Sequence, residues 1–191
     1  MNIETRPTLT PEDLLRMPDG DRYELVDGQL VEEQMSLWSS YVAGQVYWLL
    51  SQFNAAARLG WVLPETSYQC FPAGRVRVRR PDVSFLPLAR MPVNQAMEEG
   101  HIRVAPDLAV EVFSPNDLIY ELDRKLLDYF DAGVPLVWVI NPDAHIVWVH
   151  HRGTVRLLRE TDDLTGEDVL PGFRCPVRDL FVPPVPPAAA P

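Results

Sequence analysis

The pattern of hydrophobic and polar positions changes its period several times along the chain. Helical spacing predicts three helices: one that opens at Thr10-Pro11, one over about residues 37–59 and one over about residues 118–132. Apolar or alternating segments predict nine strands: YELV, QLVE, residues 61–70, residues 74–79, DVSFL, DLAVEVF, PLVWVIN, HIVWVH and TVRLLRE. Asp27-Gly28 predicts a hairpin turn, Gly60 the end of the long helix, and residues 89–104 a loop. This order predicts an α/β fold with a mixed central β-sheet, an N-terminal helix and a hairpin.

The chain of 191 residues fits a single domain, which we expect to span residues 1–182. The remaining segment, residues 183–191, is rich in proline and alanine and is expected to be a disordered tail. No apolar run approaches the roughly 20 residues that cross a bilayer, and the N-terminus has no secretory pattern. Cys70 and Cys175 belong to no CxxC motif and are expected to be reduced thiols. These features predict a cytoplasmic protein without a membrane contact.

The formal net charge is −10. A protein that coats nucleic acid non-specifically needs a positive surface, so this charge argues against that class. It leaves open an enzyme that acts on nucleic acid through a metal ion and a local basic patch. Acidic residues that bind cations contribute to the same count.

Glu111 stands out because it interrupts the apolar segment LAVEVF. Burying a carboxylate without a partner is costly, and strand alternation places Glu111 on the face opposite to Val110 and Val112. Two other charged residues stand near predicted strands in the same way. Asp82 begins the strand of RRPDVSF, and Lys125 lies in the following helix, at the edge of its apolar stripe and about 40° from Tyr129. Lys125 can therefore point back towards the sheet.

Two carboxylates on neighbouring strands suit Mg²⁺, which takes one or two carboxylates and keeps several waters. Such an ion polarises a phosphoryl oxygen and lowers the pKa of a bound water. A nearby lysine can stabilise the developing charge or orient the attacking water. Asp82, Glu111 and Lys125 are therefore candidate catalytic residues, and the first two are candidate metal ligands.

Each of these residues also has a structural interpretation. Asp82 follows a proline and fits a turn or capping residue. Lys125 fits a surface lysine whose stem lies along apolar residues. Glu111 fits a structural ion pair with one of the arginines at 75, 77, 79 and 80.

The segment RVRVRR places Arg75, Arg77 and Arg79 on one face of a strand. Such a stripe can track phosphates beside a site. It can equally form a solvated basic edge that prevents further strand pairing. No GxGxxG, P-loop or GxSxG motif points to nucleotide or acyl chemistry.

Several motifs occur here in a familiar order: YELVDG, RPDVSF, PDLAVEVFSPND, KLLDYFDAGV and VWVINP. In that order they resemble the Uma-two family of restriction-endonuclease-like proteins, which belongs to the PD-(D/E)XK nuclease superfamily. The resemblance covers roughly residues 10–182. It implies an αβα core of the restriction-endonuclease-like type and Mg²⁺-dependent cleavage of phosphodiester bonds, with Mn²⁺ as a possible substitute.

Asp82 then matches the aspartate of the PD motif, and Glu111 matches its (D/E) position. Phe113 stands where the superfamily has lysine, and Lys125 matches the position to which the family has moved that lysine. Glu24 in YELVDG matches a family glutamate that contributes to the site.

Two departures from the family are visible: Asn116 replaces the usual serine of SPSD, and SLWSSYVAG lacks the histidine common at the start of the long helix.

From the resemblance as a whole we expect a DNA endonuclease. Homodimer formation is suggested only by analogy of fold. The alternative is a catalytically silent nuclease fold that serves as a DNA-binding or scaffold module.

Overall fold

The computed structural model describes residues 8–32, 34–96 and 100–184. It contains three α-helices, α1 Pro11–Arg16, α2 Leu37–Ala57 and α3 Ile119–Asp131, and two short 3-10 helices, Gly20–Arg22 and Val177–Phe181. The eleven strands in these residues are β1 Tyr23–Val26, β2 Gln29–Glu32, β3 Gly60–Pro64, β4 Arg77–Val78, β5 Val83–Pro87, β6 Leu108–Val112, β7 Leu136–Asn141, β8 Ile146–His151, β9 Thr154–Arg159, β10 Asp163–Thr165 and β11 Arg174–Pro176. Most of the predicted tail, residues 185–191, lies outside the described residues.

A six-stranded sheet with the order β3-β5-β6-β7-β8-β9 forms the centre of the fold. Strands β6 and β7 are parallel, whereas the other neighbours are antiparallel. Parallel neighbours need a long crossover, and the 13-residue helix α3 supplies it. The predicted mixed α/β sheet is confirmed.

The two faces of this sheet are covered by different helices. Leu108, Val110 and Val112 of β6 pack in one apolar cluster with residues of α2 such as Val46. Ala109 lies on the opposite face, in a cluster with Tyr129 and other residues of α3. Strand alternation places Glu111 on this α3 face as well, as the sequence predicted. The result is an αβα arrangement in which Glu111 points to the helix that carries Lys125.

The N-terminal segment forms a second, smaller sheet with the order β2-β1-β4. Thr10 and Asp13 form a capping box that begins α1. The turn between β1 and β2 uses Asp27 and Gly28, whose φ angles are 51° and 78°, so both adopt the left-handed conformation of a tight hairpin turn. Both predictions are confirmed.

Three predicted boundaries differ from the structure. Helix α2 ends with Arg58 in the left-handed conformation (φ 52°) and not at Gly60. Gly60 instead begins β3, where a β-carbon would stand 2.3 Å from the Leu86 carbonyl oxygen of the neighbouring strand. The strands expected over residues 61–70 and 74–79 are much shorter, β3 and β4, because backbone pairing stops at Pro64 and turns follow.

Other sequence expectations fall on the described residues. The segment from Ala89 to Val104 has no helix or strand in the part that the structure describes, as expected of a loop. Cys70 and Cys175 are both free thiols. Over the described ranges, none of the helices combines the length and apolar character that crossing a bilayer requires.

A buried carboxylate pair in a cleft beside helix α3

A cleft of about 380 Å³ opens between the hairpin β1–β2, the ends of β5 and β6, and helix α3. Its lining includes all four predicted site residues, Glu24, Asp82, Glu111 and Lys125. They come from three strand regions and one helix, separated by up to 101 positions in the sequence. The fold therefore brings the whole predicted set together.

Asp82 stands directly before β5 and is half-buried. The antiparallel register of β5 and β6 pairs Val83 with Val110, so one further step places Asp82 opposite Glu111. Residues opposite one another on paired strands lie about 5 Å apart at their β-carbons. The Asp82 Oδ2 atom accepts a hydrogen bond of 2.5 Å from the backbone N–H of Val112. Asp82 thus closes the end of the strand pair and lies next to Glu111. We call Asp82 and Glu111 the carboxylate pair.

Glu111 is 6% exposed. Its Oε1 atom accepts a hydrogen bond of 2.5 Å from the hydroxyl of Tyr129, and its Oε2 atom lies 3.1 Å from the Lys125 Nζ. Both partners belong to α3. The alternative of an arginine that holds Glu111 does not describe these contacts.

Lys125 reaches back from α3 into the cleft. Its Nζ atom lies 3.1 Å from Glu111 and 3.5 Å from the Oε1 atom of Glu24. Only 17% of its side chain is exposed. Lys125 is therefore not a surface lysine whose stem lies along apolar residues. The ammonium group therefore stands between the carboxylate pair and the hairpin.

Glu24 is fully buried and has several partners besides Lys125. The Arg79 guanidinium donates to its Oε2 atom at 2.6 Å, and the backbone N–H of Arg80 donates to its Oε1 atom at 2.8 Å. Glu24 therefore links Lys125 to the arginines of β4 and the segment after it.

The arginines of the stripe form ion pairs with helix α3. Arg75, Arg77 and Arg79 all form ion pairs with Asp128 of α3, including a contact of 2.6 Å from Arg79 and one of 3.4 Å from Arg75. Arg79 is 3% exposed and Asp128 is fully buried. We call these three arginines and Asp128 the arginine cluster. It connects the region of the small sheet to α3.

Asp128 was missed by the sequence reasoning. In the segment KLLDYF an aspartate is typical of an exposed helix face, and its partners lie about 50 positions earlier. The helical wheel gave no signal, because it places Asp128 about 60° from Lys125 on the side away from the apolar stripe that includes Tyr129.

The surroundings of the carboxylate pair disfavour the ionised forms of both carboxyl groups. Burial raises the pKa of Asp82 well above its usual value, and the nearby Glu111 raises it further. Burial also raises the pKa of Glu111, although Lys125 and the Tyr129 hydroxyl act in the opposite direction. Each of two neighbouring carboxyl groups disfavours the ionised form of the other.

Glu24 behaves in the opposite way. Burial alone would raise its pKa, but the charges of Lys125 and Arg79 outweigh burial, so the pKa of Glu24 lies below its ordinary value. Glu24 and the carboxylate pair therefore differ in how far neighbouring positive charges of the protein compensate the buried negative charge.

The carboxylate pair offers two oxygen-donor groups on adjacent strands. Within the described residues no group of three or more histidine, cysteine, aspartate and glutamate side chains is placed to hold a metal. Two carboxylates are nevertheless the number that Mg²⁺ commonly takes, because it keeps several of its waters. A structural zinc site, by contrast, needs four nitrogen or sulfur ligands, which this cleft does not offer among those residues.

The fold and this cleft define a protein of the nuclease-fold class, and comparisons with known proteins agree. A family model described as "Putative restriction endonuclease", Uma2, matches residues 11–178, so the chain belongs to the Uma2 family. A solved structure from Anabaena variabilis ATCC 29413, titled as a "putative nuclease belonging to DUF820", is similar with a TM-score of 0.74. The two sequences are 20% identical, and the match covers 91% of this chain and 97% of that one. No curated protein matches the sequence at a significant level.

Proposed function

We propose that the protein is a Mg²⁺-dependent endonuclease that hydrolyses phosphodiester bonds in DNA. The observation that carries the proposal is the carboxylate pair, opposed on adjacent strands, with the Lys125 ammonium 3.1 Å from Glu111. Membership of a restriction-endonuclease family supports the reaction class. The raised pKa values of both carboxyl groups support a cation as the missing partner of their charge.

Asp82 and Glu111 would hold the Mg²⁺ ion, with Mn²⁺ as an alternative of the same oxygen-preferring type. When bound, such an ion supplies positive charge that polarises a phosphoryl oxygen and makes a water more acidic. The remaining chemistry belongs to the side chains around it.

Lys125 would stabilise the negative charge that develops on the phosphoryl group or orient the attacking water. Its place beside Glu111 is consistent with either role, because the ammonium group can donate three hydrogen bonds. Glu24 would act as a positioning residue, since it contacts Lys125 on one side and Arg79 on the other.

Tyr129 would orient Glu111. Its hydroxyl donates to Oε1 and leaves Oε2 to face Lys125. Burial and the charge of Glu111 raise the pKa of Tyr129 well above its usual value, so the hydroxyl remains a proton donor at neutral pH. The glutamate is thereby held in one orientation while its other oxygen faces the reaction.

The test is cleavage of duplex, single-stranded and branched DNA by the wild type and by Glu111→Gln, with Mg²⁺ and with EDTA. We expect cleavage only by the wild type with the ion. Asp123→Asn, an exposed change on the same helix, is the matched control and should cleave like the wild type. Equal cleavage by wild type and Glu111→Gln would overturn the assignment. Binding of DNA without cleavage under any of these conditions would also overturn it, in favour of a silent nuclease fold.

A further inference from the structure

Phe113, the aromatic residue at the lysine position of the superfamily motif, has a fixed place at the cleft. Its backbone N–H donates to the Ile140 carbonyl at 2.7 Å, and its own carbonyl accepts from the Ser39 hydroxyl at 2.9 Å. The pairing with β7 thus continues one residue beyond β6, and strand alternation places the ring on the Glu111 face. Two residues along a strand span about 7 Å. The Phe113 ring is therefore a close neighbour of Glu111 on the cleft side.

Other apolar side chains share this part of the cleft. Met35 begins the wall on the side of α2, and Leu118 and Leu122 continue it at the start of α3. Leu118 is 46% exposed, and Phe113 is half-buried. Apolar surface that lines a concave site beside polar groups is typical of a ligand-binding surface. We call Met35, Phe113, Leu118 and Leu122 the apolar wall.

The charges of the cleft are poorly suited to a DNA duplex. Its lining contains eight aspartate and glutamate residues and five arginine and lysine residues. Three of the five basic residues already have acidic partners: Arg22 with Glu32, Arg79 with Glu24, and Lys125 with Glu111. A duplex carries one negative charge per about 1.7 Å of its axis, and binding it needs many cations.

The size of the cleft also favours a ligand smaller than a DNA duplex. A volume of about 380 Å³ lies at the lower end of the range for small-ligand sites. That space suits one nucleotide and its flanking phosphates. An unpaired base can stack on an aromatic ring, and this contribution does not depend on phosphate-binding cations.

We propose that the cleft binds an unpaired nucleotide of single-stranded DNA, with the base against the apolar wall and its phosphate beside the carboxylate pair. Phe113 is then a specificity-determining residue, and the substrate is a single strand or an unpaired region rather than a continuous duplex. This inference rests on the proposed nuclease function for its chemistry but makes a separate claim about binding.

The binding test uses fluorescence polarisation of a labelled single-stranded oligonucleotide and of the blunt duplex of the same sequence. It is done in the Glu111→Gln background with Mg²⁺, so that no strand is cut under the proposed function. We expect the single strand to bind at least tenfold more tightly than the duplex. Phe113→Ala should weaken single-strand binding by about tenfold, whereas Phe113→Tyr should retain it, because the tyrosine ring keeps a stacking face.

The matched control is Phe130→Ala, which removes an exposed phenylalanine of α3 that does not line the cleft. It should leave binding unchanged. Phe113→Leu covers the case in which Phe113→Ala does not fold, since leucine keeps the apolar volume and loses only the flat ring. Duplex binding as tight as single-strand binding would overturn the inference, and so would single-strand binding by Phe113→Leu equal to that of Phe130→Ala.

A cleavage assay separates this inference from the proposed function. The wild type with Mg²⁺ is given three substrates: a single strand, a duplex, and a duplex with a central unpaired loop. We expect cleavage of the first and of the loop in the third. Preferred cleavage of the continuous duplex would contradict the unpaired-nucleotide inference and leave the nuclease assignment intact. Single-strand preference in binding with no cleavage of any substrate would contradict the nuclease assignment and support the inference about binding.

Discussion

The carboxylate pair and the arginine cluster are two charged regions that lie against the same helix and differ in their balance. In the arginine cluster three guanidinium groups surround the single buried carboxylate of Asp128. In the carboxylate pair Glu111 contacts the ammonium of Lys125, which also contacts Glu24. One region compensates its buried charge from within the protein, and the other does not.

The comparison teaches how to distinguish structural from functional burial of charge. When a buried charge is fully paired, removal of one partner lowers the stability of the fold, because the other partner stays buried without compensation. A buried acid whose pKa is raised carries an electrostatic cost that a function or a ligand must explain. Glu24, with its lowered pKa, belongs with the compensated acids, although it touches both regions.

The largest expected effect is on catalysis. Glu111→Gln keeps the shape of the side chain but removes its charge, so we expect the single-turnover cleavage rate to fall about 10³-fold, or about 4 kcal/mol in activation free energy. The free energy of unfolding should not fall, because the substitution removes a buried charge with a raised pKa. Rates from quenched time courses and unfolding in urea check the two expectations. A variant that loses stability and activity together would indicate a structural role for Glu111.

Asp128→Asn should do the reverse. It removes one of the two buried carboxylate partners of Arg79, the other being Glu24, and takes the charged partner from Arg75 and Arg77 as well, so we expect the free energy of unfolding to fall by roughly 3 kcal/mol. Urea unfolding measures this change. Asp123→Asn lies on the exposed side of the same helix and should be within about 0.5 kcal/mol of the wild type. If the two variants unfold at the same urea concentration, the arginine cluster does not hold α3 to the small sheet.

The sequence predicted the carboxylate pair and missed the arginine cluster for physical reasons. The alternation in LAVEVF is local, so it assigns Glu111 to one face of its strand without knowledge of the rest of the fold. The helical period around Lys125 is local in the same sense. Both faces are as predicted in the structure. That Asp82 stands opposite Glu111 depends on the register of β5 and β6, which only the resemblance to a family could suggest.

Asp128 shows the limit of such reasoning. Its partners lie on a two-residue strand and directly before and after it, and no periodic pattern relates that strand to α3. The arginine stripe was visible as an alternation, but an alternation shows only that side chains share a face. Which element covers that face is decided by long-range packing. The structure supplies this information: all three arginines of the stripe form ion pairs with Asp128 of α3.

Mg²⁺ should stabilise the wild type through the carboxylate pair alone. A ligand that binds only the folded state at ten times its dissociation constant stabilises it by about 1.4 kcal/mol. We expect a gain of about 1 kcal/mol in the free energy of unfolding at millimolar Mg²⁺. The gain should disappear in Asp82→Asn and persist in Asp128→Asn, relative to each variant without the ion. Urea unfolding with Mg²⁺ and with EDTA measures it, and an equal gain in Asp82→Asn would place the ion elsewhere.

The smallest effect is a pair of opposite pH dependences in EDTA. The pKa of Asp82 is raised in the folded state, so its contribution to stability is present below its unfolded pKa, about 3.9, and is lost as the pH rises through the folded pKa. Asp82→Asn should therefore gain stability relative to the wild type as the pH rises above about 4. The pKa of Glu24 is lowered, so its contribution is present above its unfolded pKa, about 4.3, and is lost as the pH falls. Glu24→Gln should lose stability relative to the wild type as the pH rises towards about 4.3, the unfolded pKa of a glutamate. Each tenfold change in proton affinity corresponds to about 1.4 kcal/mol, so urea titrations across this range resolve both slopes.

Slopes of the same sign would mean that the charge of the carboxylate pair is compensated in the same way as that of Glu24, and the distinction between the two regions would fail.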